Sequence, residues 1–258
     1  MSVIKIEQEE GILKIILNRP DKFNSFNREM ALALQQALDK ADDDDKVRCV
    51  YLTGEGKGFC AGQDLSEAID SNGPGIERIV REHYNPIIEK IRSLEKPVVC
   101  AVNGVAAGAG ANIALACDIV IAGASVAFIQ AFSKIGLIPD SGGTFFLPRL
   151  IGFGKATALM MLGDKVSAVD AEKMGMIYKV ANDAVLQEEA MAIAKTLSQL
   201  PTKAIGLTKR LLNQSMFNPL DKQLEYEGDT QVHAAQTNDY TEGVKAFLEK
   251  RKPVFSGT

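Results

Sequence analysis

Only two histidines, His83 and His233, and four cysteines, Cys49, Cys60, Cys100 and Cys117, occur in 258 residues. The histidines lack metal-site spacing and no two cysteines form a C-x-x-C pair. Histidine-based metal sites, zinc ribbons and dithiol redox motifs are therefore not expected, and no metal is assigned. The thiols lie among apolar residues, as suits a reduced, cytoplasmic protein. Positive charge is also scarce: 29 Lys+Arg stand against 33 Asp+Glu, a formal charge of −4. That balance disfavours the clustered cations that phosphate backbones demand, so no nucleic-acid partner is expected. The longest apolar stretch is interrupted by Asn103, several glycines, Asn112 and Asp118, which excludes a membrane-spanning helix. The opening residues alternate charges where a secretory leader would place a basic segment and then an apolar one.

The chain is 46% apolar, enough for one large unit, or a main unit with a smaller appendage, without covalent staples. β-formers at 3–6 and 11–17, around Glu9-Glu10-Gly11, predict a hairpin that closes on Asn18-Arg19-Pro20. Met30, Leu34 and Leu38 recur at helical spacing from Asn27 to the acidic run at 42–45. A strand is predicted at 47–52. Its tail, Gly54-Glu55-Gly56-Lys57-Gly58, lacks both the first glycine and the Ser/Thr of a phosphate loop. A helical pattern over 76–94 precedes Pro97 and an apolar run at 98–102 typical of a strand covered on both faces. Gly108-Ala109-Gly110-Ala111 then leads into a helix over 112–117 and a strand over 118–121, a succession that predicts an α/β fold. Beyond Phe128 one more strand is expected, at 176–180, after a capping box at Ser167 and Asp170 with Gly175 as the stop. Helices at 184–197, 203–212, 220–235 and 240–250 complete the chain.

Three places can carry chemistry. In Gly58-Phe59-Cys60-Ala61-Gly62-Gln63-Asp64-Leu65, small residues between a strand and a helical stretch let a ligand approach the backbone. Further on, Gly108-Ala109-Gly110 opens a helix whose free N–H groups attract negative charge. Two such clusters facing each other would hold an oxyanion, although tight strand-to-helix turns are the commoner reason for such glycines. A dinucleotide fingerprint is excluded there, because the third glycine and the acidic partner are missing. In Ile138-Pro139-Asp140-Ser141-Gly142-Gly143-Thr144, apolar neighbours would raise the Asp140 pKa toward a value useful for proton transfer. Capping the following helix is an equal reading for that aspartate.

Taken in order, Phe59-Cys60-Ala61-Gly62-Gln63-Asp64-Leu65, the stretch from Val102-Asn103-Gly104 to Cys117-Asp118-Ile119, and Ile138-Pro139-Asp140-Ser141-Gly142-Gly143-Thr144 strongly resemble the enoyl-CoA hydratase/isomerase (crotonase) superfamily. The resemblance covers essentially the whole chain. It implies a spiral of ββα turns over 1–200 that holds an acyl-CoA thioester. A C-terminal helical region over 201–258 would build homotrimers or hexamers. Coenzyme A would be part of the substrate, with no separate cofactor. By position, the resemblance implies an oxyanion hole made by the backbone N–H groups of Gln63 and Ala109. It implies contacts to coenzyme A or substrate at Lys22, Ala61, Gly62, Asp64, Leu65, Gly110, Phe132 and Lys250; a solvated surface charge is an equal reading for both lysines. Family hydratases carry two glutamates at positions that are Asn112 and Phe132 here, and neither side chain moves a proton. Asp140 matches the single catalytic aspartate of several family isomerases and of a dehalogenase whose partner histidine has no evident counterpart. The implied activity is isomerisation, by double-bond migration or by converting a ring epoxide to its oxepin. Phe128, Phe132, Phe145 and Phe146 would then form an apolar wall, or simply core. The alternatives are a hydratase of unusual design and a noncatalytic acyl-CoA- or RNA-binding scaffold.

Overall fold

A computed structural model describes residues 2–258 of the chain. Strands β1 (Ile4–Glu9) and β2 (Ile12–Leu17) form the expected antiparallel hairpin, turning at Glu10 and Gly11, both left-handed. A 3-10 turn, Pro20–Lys22, leads to α1 (Arg28–Asp43), whose first turn is capped by the Asn27 side chain on Met30 N–H. The chain then repeats one pattern. β3 (Cys49–Gly54) enters a large sheet, β4 (Gly58–Cys60) a small one, and helices α2 (Leu65–Ala68), α3 (Gly75–Arg78) and α4 (Asn85–Ser93) return. Next come β5 (Val98–Val102), β6 (Val105–Ala107) and α5 (Ala109–Ala116), then β7 (Ile119–Gly123) and β8 (Ala127–Ile129). After a 3-10 turn at Ala131–Ile135 follow α6 (Gly143–Ile151), α7 (Phe153–Leu162), β9 (Lys165–Ser167), α8 (Ala168–Lys173), β10 (Lys179–Ala181) and α9 (Leu186–Gln199). The large sheet has the order β1-β2-β3-β5-β7-β10, parallel beyond the hairpin, and the small one β4-β6-β8-β9. Each repeat thus adds one strand to each sheet and a helical return, which is a ββα spiral. Three helices close the chain: α10 (Thr202–Ser215), α11 (Leu220–Ala234) and α12 (Asn238–Leu248).

Several expectations need correction: α5 begins at Ala109 and not at Asn112, and the strand expected at 176–180 starts only at Lys179, as β10. The strand β9 carries little periodicity in its three residues, and it pairs antiparallel with β8 where only a capping box was foreseen. Ser167 caps α8 as expected, accepting from Asp170 N–H at 3.1 Å, but the return bond of a capping box is replaced by one from the Ser167 hydroxyl to the Asp170 carboxylate at 2.7 Å. The expected helix over 76–94 is broken by a π-helical turn, Ile79–Tyr84. Pro86 has no N–H for the Glu82 carbonyl, so the ladder widens there, and Gln35 of α1 donates instead to the carbonyls of Glu82 and His83, at 2.8 and 3.1 Å.

All eight residues of α5 are buried, so this helix runs through the core with its N-terminus reaching the site. Behind its C-terminus, the Asp118 carboxylate accepts from Val98 N–H at 2.8 Å, Arg92 at 3.0 Å and Lys209 at 2.8 Å. Lys209 is 6% exposed, and burial lowers its pKa against the pull of Asp118. Asp118→Ala is expected to cost about 3–5 kcal/mol by leaving that ammonium unpaired, and adding Lys209→Met should restore most of the loss. Chemical denaturation measures both. An unmoved midpoint in the single variant would contradict the assignment.

Candidate active site

The two glycine turns singled out in the sequence meet. Gly62 has a φ of +91°, and a methyl group on its α-carbon would lie 3.0 Å from Ala107 O and 3.7 Å from Ala109 N. Only glycine suits that torsion and that approach. On one edge the turn pairs with Phe26, whose N–H donates to Gly62 O at 2.7 Å and whose carbonyl accepts from Asp64 N–H at 2.8 Å. This leaves the Gln63 N–H on the opposite edge, where it donates to no protein acceptor among the described residues. Across from it, β6 turns at Gly108, φ +53°, into α5, whose first N–H groups have no partner inside the helix. The first is that of Ala109. Two main-chain donors at the mouth of a buried helix form a place where an oxygen can carry negative charge.

Asp140 lies on a strained loop that is held to α5 through Asn112. Ser141 has a φ of +52° although it bears a side chain, and Gly142 follows at +73°. The Ser141 hydroxyl, buried, donates to Asp140 Oδ1 at 2.9 Å. Asn112 of α5, fully buried, donates from Nδ2 to the Asp140 carbonyl at 2.8 Å and accepts from Gln130 Nε2 at 2.8 Å. Burial raises the Asp140 pKa above the ordinary aspartate range, and the Ser141 hydroxyl opposes that rise. The helix-cap alternative is not realised by the side chain: α6 begins with no side-chain cap, and Gly143 N–H donates to the Asp140 carbonyl at 2.9 Å.

A polar chain passes beneath the first turn. Tyr84, fully buried, donates to Gln63 Oε1 at 2.8 Å, and Gln63 Nε2 donates to Glu67 at 3.0 Å. Glu67 in turn accepts from Arg28 N–H at 2.9 and 3.1 Å. Burial, then the charges of Cys60, Asp140 and Glu67, hold the Tyr84 phenol far above its usual range, so it remains a donor. His83, also buried, faces the Arg28 guanidinium at 3.1 Å, and burial lowers its pKa, keeping the ring neutral. Tyr84, Glu67, Ser141 and Gln130 were not singled out by sequence reasoning. A proline within a helical pattern, at Asn85-Pro86, was the available signal for the widened turn that places Tyr84.

The remaining assignments scatter. Phe132 lies with its ring against Gly108, 3.7 Å from where a methyl would be, and Phe146 lies beside Gly142. Phe128 is core, while Phe145 stacks on Phe217 with centroids 5.6 Å apart. Gly110 packs its bare α-carbon on Cys60 of β4, away from the opening between the turns. Asp64 caps α2 through Ser66 N–H and pairs with Arg19 at 2.8 Å; burial raises its pKa, but these partners outweigh it and lower the net value. Ala61 and Leu65 are exposed on either side of Gly62. Lys22, in the first 3-10 turn, and Lys250, just past α12, are exposed and make no ion pair among the described residues.

The sequence profile of the enoyl-CoA hydratase/isomerase family matches residues 7–258. The chain is 48% identical over 260 residues to 1,2-epoxyphenylacetyl-CoA isomerase of Escherichia coli strain K12, covering 100% of this chain and 99% of that one. It is 42% identical to a "Probable enoyl-CoA hydratase" of Rhodobacter capsulatus, covering 98% of each. Among solved structures, the enoyl-CoA hydratase of Bacillus anthracis superposes with a TM-score of 0.93 at 34% identity, over 99% of this chain and 100% of that one.

Ser141→Ala removes the side-chain hydrogen bond that stabilises the Asp140 carboxylate. The Asp140 titration should then move to higher pH, followed by 13C NMR of the labelled carboxyl group. A downward shift would contradict the assigned bond.

Proposed function

The chain belongs to the enoyl-CoA hydratase/isomerase family, and from that premise we propose that it isomerises acyl-CoA thioesters with Asp140 as the single proton carrier. The observation that carries this reading is that Asp64 is paired with Arg19 and Glu67 is tied to Arg28 N–H and Gln63, whereas Asp140 has no cationic partner among the described residues. By the family resemblance, Asn112 and Phe132 stand where hydratases carry two glutamates; here one is an amide committed to Gln130 and the Asp140 carbonyl, the other a ring against Gly108. Water addition needs one group to activate water and another to protonate carbon, whereas migration of a double bond needs a single base that takes a proton and gives it back. In the proposed reaction the thioester oxygen accepts from Gln63 N–H and Ala109 N–H, each worth about 3 kcal/mol of barrier. The α-hydrogen thereby becomes acidic enough for Asp140 to remove, and the same carboxyl returns it farther along the acyl group. With a ring-1,2-epoxyphenylacetyl ester, the carbon–carbon bond shared by the oxirane and the six-membered ring breaks to give the seven-membered oxepin, both C–O bonds being kept, and the proton taken from the α-carbon is returned to a ring carbon. The similarity to the E. coli isomerase supports this acyl group, as does the placement of Phe132 and Phe146 beside the turns that carry the polar groups.

The raised Asp140 pKa fixes the sign of the pH dependence. The carboxylate is the base, so kcat/KM rises with pH through this pKa, and its acid limb lies above the ordinary aspartate value of about 4. Asp140→Asn should lower kcat by about 10²–10⁴-fold on 3-enoyl-CoA and on the ring-epoxide ester. Unchanged turnover would end the role of Asp140, and brisk conversion of crotonyl-CoA to the 3-hydroxy ester by wild type would favour a hydratase instead.

The C-terminal helices carry exposed apolar side chains at Leu220, Leu224, Val232, Phe247 and Leu248. They support the reading of 201–258 as a region that joins copies of the chain. Sedimentation should give a trimer or hexamer; a monomer at micromolar concentration would contradict it.

A further inference from the structure

We propose that Tyr84 and Glu67 are positioning residues for the oxyanion hole: the Gln63 side chain, strung between them, fixes the angle of Gln63's own main-chain N–H. The inference rests on the proposed use of that N–H and adds how it is held. Gly62, just before it, has a φ of +91°, a torsion without side-chain restraint, so the peptide that carries the donor follows a glycine. Phe26 restrains this turn through Gly62 O and Asp64 N, both on one edge. Cys60 Sγ accepts from Gly62 N–H at 3.4 Å, so beyond Gly62 the remaining restraint comes from the Gln63 side chain, both polar ends of whose amide are used for it. Oε1 accepts from Tyr84 at 2.8 Å and Nε2 donates to Glu67 at 3.0 Å.

Each anchor is itself fixed. Glu67 is held by Arg28 N–H at the start of α1, and Tyr84 ends the π-helical turn whose carbonyls Gln35 of α1 ties down. Among the described residues, the Tyr84 phenol makes no hydrogen bond other than the one to Gln63. A buried phenol needs an acceptor, and here the acceptor is the side chain of the residue whose free N–H lies across from the start of α5. Oxyanion donors act through distance and angle, so loosening Gln63 costs transition-state stabilisation more than ground-state binding.

The test uses phenylacetyl-CoA labelled with 13C at the thioester carbonyl, bound to the full-length protein, with the carbonyl stretch read by infrared difference spectroscopy. Wild type should shift the stretch to lower frequency, and Tyr84→Phe should lose about half or more of that shift. With 3-enoyl-CoA, kcat should fall about 10-fold while KM changes little. Gln63→Met keeps the backbone donor but severs both anchors. Adding Tyr84→Phe to it should cost nothing further, whereas Glu67→Gln, which keeps an acceptor, should be milder than Glu67→Ala. A full wild-type shift in a folded Tyr84→Phe protein, or additive losses in the double variant, overturns the proposal. Should Tyr84→Phe fail to fold, the Gln63→Met shift decides: an undiminished shift overturns the proposal. No shift in wild type would instead remove the oxyanion reading, and this inference with it.

Discussion

The two hydrogen bonds that Phe26 makes to the peptides flanking Gln63 leave the N–H of Gln63 itself unspent, beside the first turn of a buried helix. Much of the local sequence follows from keeping that arrangement. The turn holds a φ of +91° and comes tightly against Ala107 O, hence glycine at 62. The helix must begin at once after β6, hence glycine at 108 with a positive φ. It must also lie flat on Cys60, hence glycine at 110, where a β-carbon would fall inside the contact distance of the Cys60 carbonyl. With α5 enclosed on all sides, its one polar side chain, Asn112, needs its hydrogen bonds within the protein, and both amide atoms have them.

Asp140 is governed by opposed electrostatic effects of unequal size. Burial disfavours its charge, and the Ser141 hydroxyl favours it, with burial prevailing. No lysine or arginine is bonded to this carboxylate among the described residues, in contrast to Asp64, which Arg19 holds as an anion. The two aspartates are held by different partners, Asp64 by Arg19 and Ser66 N–H and Asp140 by Ser141. Asp64 is held as a charged strut with its pKa lowered, while burial raises that of Asp140. The left-handed Ser141 is compatible with this division, because strain at that residue brings its hydroxyl onto the carboxyl oxygen.

Much of this was legible in the chain. The hairpin, the buried strand at Val98–Val102 and the helical C-terminal third follow from period and from β-branched runs, and the ordered glycine motifs carried the family. Boundaries moved where backbone geometry outweighs pattern: α5 begins at Ala109, not Asn112, because glycine and alanine carry too little side chain to signal periodicity. The strand β9 is three residues long, below what alternation can reveal. The polar chain from Arg28 through Glu67 and Gln63 to Tyr84 joins residues up to 56 positions apart by number. Nothing in one sequence pairs them. Even the proline that widens the helix before Asn85 announces a break without saying which side chain it will aim inward.

The most consequential single residue for the choice of reaction is one that does no chemistry. The Asp140 carbonyl receives a donor from Asn112 Nδ2, and Gln130 supplies a donor to Asn112 Oδ1, so the buried amide uses both of its faces with the correct polarity. A carboxylate at position 112 would have no hydrogen to give to that carbonyl. It would either stay protonated, useless for activating water, or ionise against an oxygen dipole in the core. Gly143, whose α-carbon leaves no room for a methyl beside the Asn112 amide, also denies a longer acid a way round. The amide, the glycine and the Asp140 loop therefore form a matched set.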